Sequence, residues 1–167
     1  MKAVLALSIC ALLMACSPRE PSARASLSGS SGSSVQGELQ LTAVDGGVLI
    51  VGEVGGLQPD AELGFHVHEN GDCSAPDAES AGPHFNPGQS VHGGPATAAR
   101  HLGDLPNLAS DSTGIAKVET TLAGASLQDG GPNDLMGRAF VVHERRDDHV
   151  SQPAGDSGIR IACGVVR

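Results

Sequence analysis

The 167-residue chain has no tryptophan and no tyrosine, and three phenylalanines leave aromatics at 2% of residues. Large rings therefore cannot build its interior, which falls to Val, Leu, Ile and Ala. Positive charge is also scarce: 10 Lys and Arg stand against 19 Asp and Glu, for a formal net charge of −9. A phosphate backbone needs a basic face, so nucleic acid is excluded as a partner. No apolar run is long enough to span a bilayer, and there is no internal repeat. What is abundant is glycine (23) and proline (10), which indicates many turns and short strands in place of long helices. The length fits one domain plus a leader.

Residues 1–15 place one lysine before an apolar run that extends to Ala15, the layout of a secretory signal. Leu13-Met14-Ala15-Cys16 resembles the lipobox of bacterial lipoproteins, in which the cysteine is acylated and becomes the new N-terminus. A rival cleavage after Ala23-Arg24-Ala25 fits the small-x-small rule but leaves a long charged segment before the cut. The expectation is a signal peptide at 1–15, a lipidated tether at 16–22 that anchors the protein to a membrane through Cys16, and one domain at 23–167. The expected location is the periplasm or cell envelope of a bacterium.

Strands are expected near 23–28, 35–44, 48–55, 64–69, 105–109, 115–121, 138–143 and 159–166. The first alternates only weakly, and a linker running to Ser34 is an equal reading of the residues alone. Asp45-Gly46-Gly47 is a strong hairpin signal. About eight short strands give a β-sandwich or barrel. From Asn70 to Asp104 no regular pattern appears, and this exceeds the roughly 12 to 15 residues that a structureless loop usually reaches in a compact domain.

That loop carries His84, His92, His101 and Asp104. Three nitrogens and one oxygen suit four-coordinate zinc with no position left for substrate, a structural site. Each histidine alone reads equally well as a solvated loop residue. Upstream, Phe65-His66-Val67-His68 places two imidazoles on one face of a strand, and a further strand ends at His143. A strand-borne His-x-His with a third strand histidine suits Cu(II); His143 alone is equally a satisfied strand-end residue.

Several motifs in one order carry a resemblance: His66-Val67-His68-Glu69, Gly71-Asp72-Cys73, Gly82-Pro83-His84-Phe85-Asn86-Pro87, His92-Gly93-Gly94-Pro95, Arg100-His101-Leu102-Gly103-Asp104, Val141-Val142-His143-Glu144 and Arg160-Ile161-Ala162-Cys163-Gly164. From about residue 35 to the C-terminus the sequence resembles Cu/Zn superoxide dismutase, of a bacterial exported type. The resemblance implies an all-β, eight-stranded antiparallel Greek-key barrel with two long loops, a family that is itself a standard example of the sandwich architecture. It implies copper held by His66, His68, His84 and His143, and zinc by His84, His92, His101 and Asp104, one ion of each per chain, with His84 bridging the two. It assigns Asp147 as a carboxylate that orients ligands on both sides, and Arg160 as the cation beside the open copper position. Superoxide is then the substrate, and a homodimer is left open.

With Cys10 in the leader and Cys16 lipidated, Cys73 and Cys163 remain as a pair in an oxidising compartment, and the resemblance joins them as a disulfide. Its closure stabilises the fold by roughly 4 to 5 kcal/mol on the chain-entropy account. Metals and disulfide together are sufficient to order the long loop. Two departures stand out. The segment 144–158 is shorter than in eukaryotic relatives and lacks their lysines, leaving Arg145 and Arg146 as its cations, whereas 74–80 is longer. His149, without a role in this scheme, is expected to be exposed. A non-catalytic exported copper- or zinc-binding or copper-delivery module is the alternative. Such a protein is expected to lose a copper ligand or Arg160, or to gain a Cys-x-Cys motif.

Overall fold

The computed structural model describes residues 20–167; the expected signal peptide and Cys16 lie outside the described residues. Alternation sets the first strands. In β1 (Ser22–Gly29), Ala23, Ala25 and Leu27 point inward while Ser22, Arg24 and Ser26 face solvent. The strand starts one residue before the expected domain boundary. β2 (Gln36–Val44) buries Leu39 and Leu41, and β3 (Gly47–Gly55) buries Val48, Ile50 and Val54. Their register, Val44 opposite Gly47, leaves Asp45 and Gly46 as the turn. Gly46 sits at φ 75°, where a side chain is strained although nothing lies within 4 Å of a Cβ there.

The expected strand at 64–69 forms as β5 (Phe65–His68), preceded by a short β4 (Glu62–Leu63) that was not expected, and followed by β6 (Leu108–Ala109), β7 (Ala116–Ala123), β8 (Ala139–His143) and β9 (Arg160–Val165). The break at Gly64 has a cause: β4 pairs with β6 while β5 pairs with β8, so the chain changes partner there. Gly64 donates to the Arg145 carbonyl and accepts from His143 N–H, both at 2.8 Å. One antiparallel sheet runs β5-β8-β9-β1-β2-β3-β7. A bridge between Ser110 and Ala116 brings β6, and with it β4, back to β7, so the sheet curls into a half-barrel. The eight expected strands are present, with β4 in addition.

The barrel interior is aliphatic apart from three phenylalanines: Phe65 and Phe140, stacked with centroids 5.4 Å apart, and Phe85. β5 is buried on both faces. Phe65 and Val67 join the core, and His66 and His68 face the long loop. Two segments of that loop lie alongside β5: Phe85 N–H donates to the Val67 carbonyl at 2.8 Å and Val67 N–H to the Gly103 carbonyl at 2.9 Å. A Cβ on Gly103 would meet the Val67 oxygen at 2.2 Å, so glycine is required for this approach. Cys73 and Cys163 are bonded and tie the loop to β9.

Candidate metal centre

β5 delivers His66 and His68, β8 ends on His143 and β9 starts on Arg160, all at the end of the sheet covered by the long loop. There the expected residues converge into two buried groups: His66, His68, His84 and His143, and His84, His92, His101 and Asp104. The donor atoms of each group lie within 4.8 Å of one another.

In the first group, His66 Nδ1, His68 Nε2, His84 Nε2 and His143 Nε2 are buried without a hydrogen-bond partner. Buried polar atoms are normally satisfied, so four that converge point to an ion. The opposite nitrogens are held. His68 Nδ1–H donates to the Gly82 carbonyl at 2.8 Å, His143 Nδ1–H to the Gly158 carbonyl at 3.1 Å, and His66 Nε2–H to Asp147 Oδ2 at 2.9 Å. Each bond fixes a tautomer and aims the other lone pair inward.

In the second group, Asp104 Oδ1 lies 2.8 Å from His84 Nδ1, 3.1 Å from His92 Nδ1 and 3.2 Å from His101 Nδ1, and the His84 and His101 Nδ1 atoms are 3.3 Å apart. Two ligands on tetrahedral zinc are about 3.3 Å apart, so the donor set fits that ion. Asp104 Oδ2 accepts from the N–H groups of Gly93 and His101, which leaves Oδ1 for the metal. His84 thus offers Nε2 to one group and Nδ1 to the other.

Burial pushes His66 down to about 4 against the pull of Asp147, takes His143 to about 3, and holds His68 well below the ordinary histidine value. All three are neutral near pH 7, as ligands must be. His92 goes the other way: burial lowers it, but the carboxylates of Asp104 and Asp147 outweigh burial and raise it to about 9. Both carboxylates, although burial raises them, are held below the usual range by their histidine partners. The metal-free protein therefore carries a proton on His92 that zinc must displace. Zinc uptake at pH 7 is expected to release about one proton from this site, measurable by calorimetry in buffers of different ionisation enthalpy; zero release would count against it. In the metal-free form, stabilisation from this histidine is complete below its unfolded value of about 6.5 and is lost as pH rises through about 9.

Asp147 is fully buried and spans the two groups, its Oδ2 on His66 and its Oδ1 3.0 Å from His92 Nε2. The family model for copper/zinc superoxide dismutase matches residues 35–166. The chain belongs to that family. It is 43% identical over 134 residues to superoxide dismutase [Cu-Zn] 1 of Aquifex aeolicus, with 78% of this chain and 79% of that one covered. Its fold is similar to the crystal structure of a SOD-like protein from Bacillus subtilis, with a TM-score of 0.77 and 38% identity over 84% of this chain and 95% of the other. It is also similar to the clock protein EA4, with a TM-score of 0.78 and 37% identity over 92% and 98% of the two chains. Copper and zinc are accordingly its metals, and the two histidine groups are compatible with their sites.

Other dismutase residues escape sequence reasoning. Asn107 clamps Asp147: its Oδ1 accepts from Asp147 N–H at 2.9 Å and its Nδ2 donates to the Asp147 carbonyl at 3.0 Å. Gln152 does the same for the backbone of His92, at 2.9 and 3.0 Å. His149, expected to be exposed, is half-buried. Its backbone N–H donates to Asp147 Oδ1 at 2.7 Å and draws its ring in over Gly94.

The copper side opens through a cavity of about 650 Å³ lined by His68, His84, His143, Arg160, Glu69 and Glu79, among others. Among the described residues Arg160 is the one arginine or lysine lining it. Its Nη1 donates to the Ala78 carbonyl at 2.8 Å and its Nη2 to the Gly82 carbonyl at 2.9 Å, the same oxygen that orients His68. Arg145 and Arg146 are engaged elsewhere: Arg145 with Asp156 at 2.8 Å, and Arg146 with Glu62 at 2.5 Å.

Proposed function

We propose that the protein is an active, exported superoxide dismutase tethered to a membrane through acylated Cys16. The observation that carries the activity is His84, which presents Nε2 to the copper ligands and Nδ1 to the zinc ligands. Copper, when bound, would supply the one-electron chemistry by which one superoxide is oxidised to O₂ and a second, taking up two protons, is reduced to H₂O₂. The chain's residues handle the anion and a proton. Arg160, anchored on two carbonyls, keeps a fixed guanidinium at the cavity floor to hold superoxide by charge and hydrogen bonds. His84 is the imidazole that can carry a proton on Nε2 toward the substrate while Nδ1 stays with the zinc ligands. His66, His68 and His143 keep their outer N–H groups bonded and stay fixed. A non-catalytic metal carrier has no need of Arg160 so placed.

Metal analysis combined with a superoxide-consumption assay tests the reading; one copper, one zinc and rapid consumption are expected. Arg160→Glu is expected to slow consumption by about tenfold or more, on the scale of electrostatic steering, for which this family is a standing example. Arg160→Lys keeps the charge and loses the fork, so it should slow less. Unchanged rates in both at full metal content would remove Arg160 from the reaction. For the anchor, Cys16→Ser is expected to shift the protein from the membrane to the soluble fraction with its activity intact. Equal partitioning of the two forms would rule out the lipid.

A further inference from the structure

The Cys73–Cys163 disulfide lines a surface pocket of about 410 Å³ with Arg24, Arg167, Ser26 and Ser28, and no Asp or Glu lines it among the described residues. In a chain of net charge −9 two guanidiniums thus share one pocket, with Glu38 at its border accepting from Ser26 Oγ at 2.9 Å. Register places the arginines. Arg24 N–H donates to the Arg167 carbonyl at 2.8 Å and Arg167 N–H to the Arg24 carbonyl at 2.9 Å, so they form a directly opposed antiparallel pair with side chains on one face. Both are exposed. Arg145, Arg146 and Arg160 each meet a carboxylate, but neither Arg24 nor Arg167 does among the described residues. Like charges directly opposite repel, and a bound anion relieves this. Cys163 is buried and Cys73 is partly exposed, which makes Cys73 Sγ the reachable sulfur.

We propose that this pocket recognises a low-molecular-mass thiol bearing carboxylates and directs it onto Cys73. The incoming thiolate's electron pair forms a new S–S bond to Cys73 Sγ. The Cys73–Cys163 bond breaks, and its pair leaves on Cys163 Sγ as a thiolate in a pocket with two guanidiniums. A second thiolate attacks the small thiol's sulfur in the mixed disulfide and releases Cys73 as a thiolate. Two protein sulfurs are thereby reduced, and two small thiols are oxidised to their disulfide. Run in reverse, the same site closes the bond in a newly made chain. The exchange bears on the copper side because the bond pins the loop whose Ala78 and Gly82 carbonyls hold Arg160 and His68.

The test treats the metal-loaded protein with glutathione (anionic), 2-mercaptoethanol (neutral) and cysteamine (cationic). Loss of the bond is followed peptide by peptide by alkylation and mass spectrometry, with rates compared per thiolate. At low ionic strength glutathione is expected to react about tenfold faster than cysteamine. The advantage should collapse near about 0.5 M salt, where the screening length is a few ångströms. R24Q/R167Q should lose the preference, and R24K/R167K should keep it. Equal rates for glutathione and cysteamine in the wild type, a preference surviving in R24Q/R167Q, or a first mixed disulfide on Cys163 would each overturn the proposal.

Discussion

His84→Ala is expected to cost the protein both metals, and with them its activity. Alanine removes two donor atoms at once, Nε2 from the copper set and Nδ1 from the zinc set, whereas loss of any other ligand removes one. In the two remaining sets His66 Nδ1, His68 Nε2, His143 Nε2 and His92 Nδ1 stay buried without a partner in the absence of an ion. Affinity should fall for both ions by more than the roughly 100-fold that losing an outer hydrogen-bond partner costs. His101→Ala is the control: it should weaken zinc and leave the copper ligands complete. Metal titration of the two variants decides it, and a His84→Ala protein that binds copper normally would refute the shared position.

Asp147→Ala should be the most damaging change that touches no ligand position. Its oxygens hold His66 on the copper side and His92 on the zinc side, so its loss frees both rings and orphans two buried nitrogens. Affinity for each metal is expected to drop by about 10- to 100-fold. The raised value of His92 should fall, because one of the two carboxylates that lift it is gone. Chelator competition reports the first effect and NMR titration of the metal-free protein the second. Unchanged zinc affinity would demote Asp147 to a packing residue.

The ligand residues were legible because they break local rules in visible ways. His66 and His68 sit on one face of a strand whose intervening residues are apolar, and His84, His92 and His101 crowd a stretch with no pattern of its own. The strands were legible from alternation, most clearly at Leu39, Leu41, Val48 and Ile50. Contacts made across long separations were not. Arg146 meets Glu62 from 84 residues away, so it could not be seen that the two arginines of the shortened loop are already engaged. The approach of Glu79 to Arg160, at 3.3 Å, is equally invisible, and so is the Asn107 clamp. His149 looked like a surface residue because its half-burial depends on its backbone bond to Asp147 and the absence of a side chain on Gly94. The break at Gly64 needed knowledge of which strand lies on each side.

The loop segments that run beside β5 also have a protective role. β5 is the last strand of its sheet, and its outer edge is covered by loop backbone, through the bonds at Val67 and Glu69 and the bridges from His66 to Asp104 and from His68 to His84. Those bridges are made by metal-binding residues, so the ions reinforce a cover that the disulfide also holds in place. Loss of zinc is expected to loosen that cover and so raise the exposure of the β5 edge, whose N–H and C=O groups could then pair with another copy. Metal supply is thereby expected to bear on whether the chain stays monodisperse as well as on its chemistry.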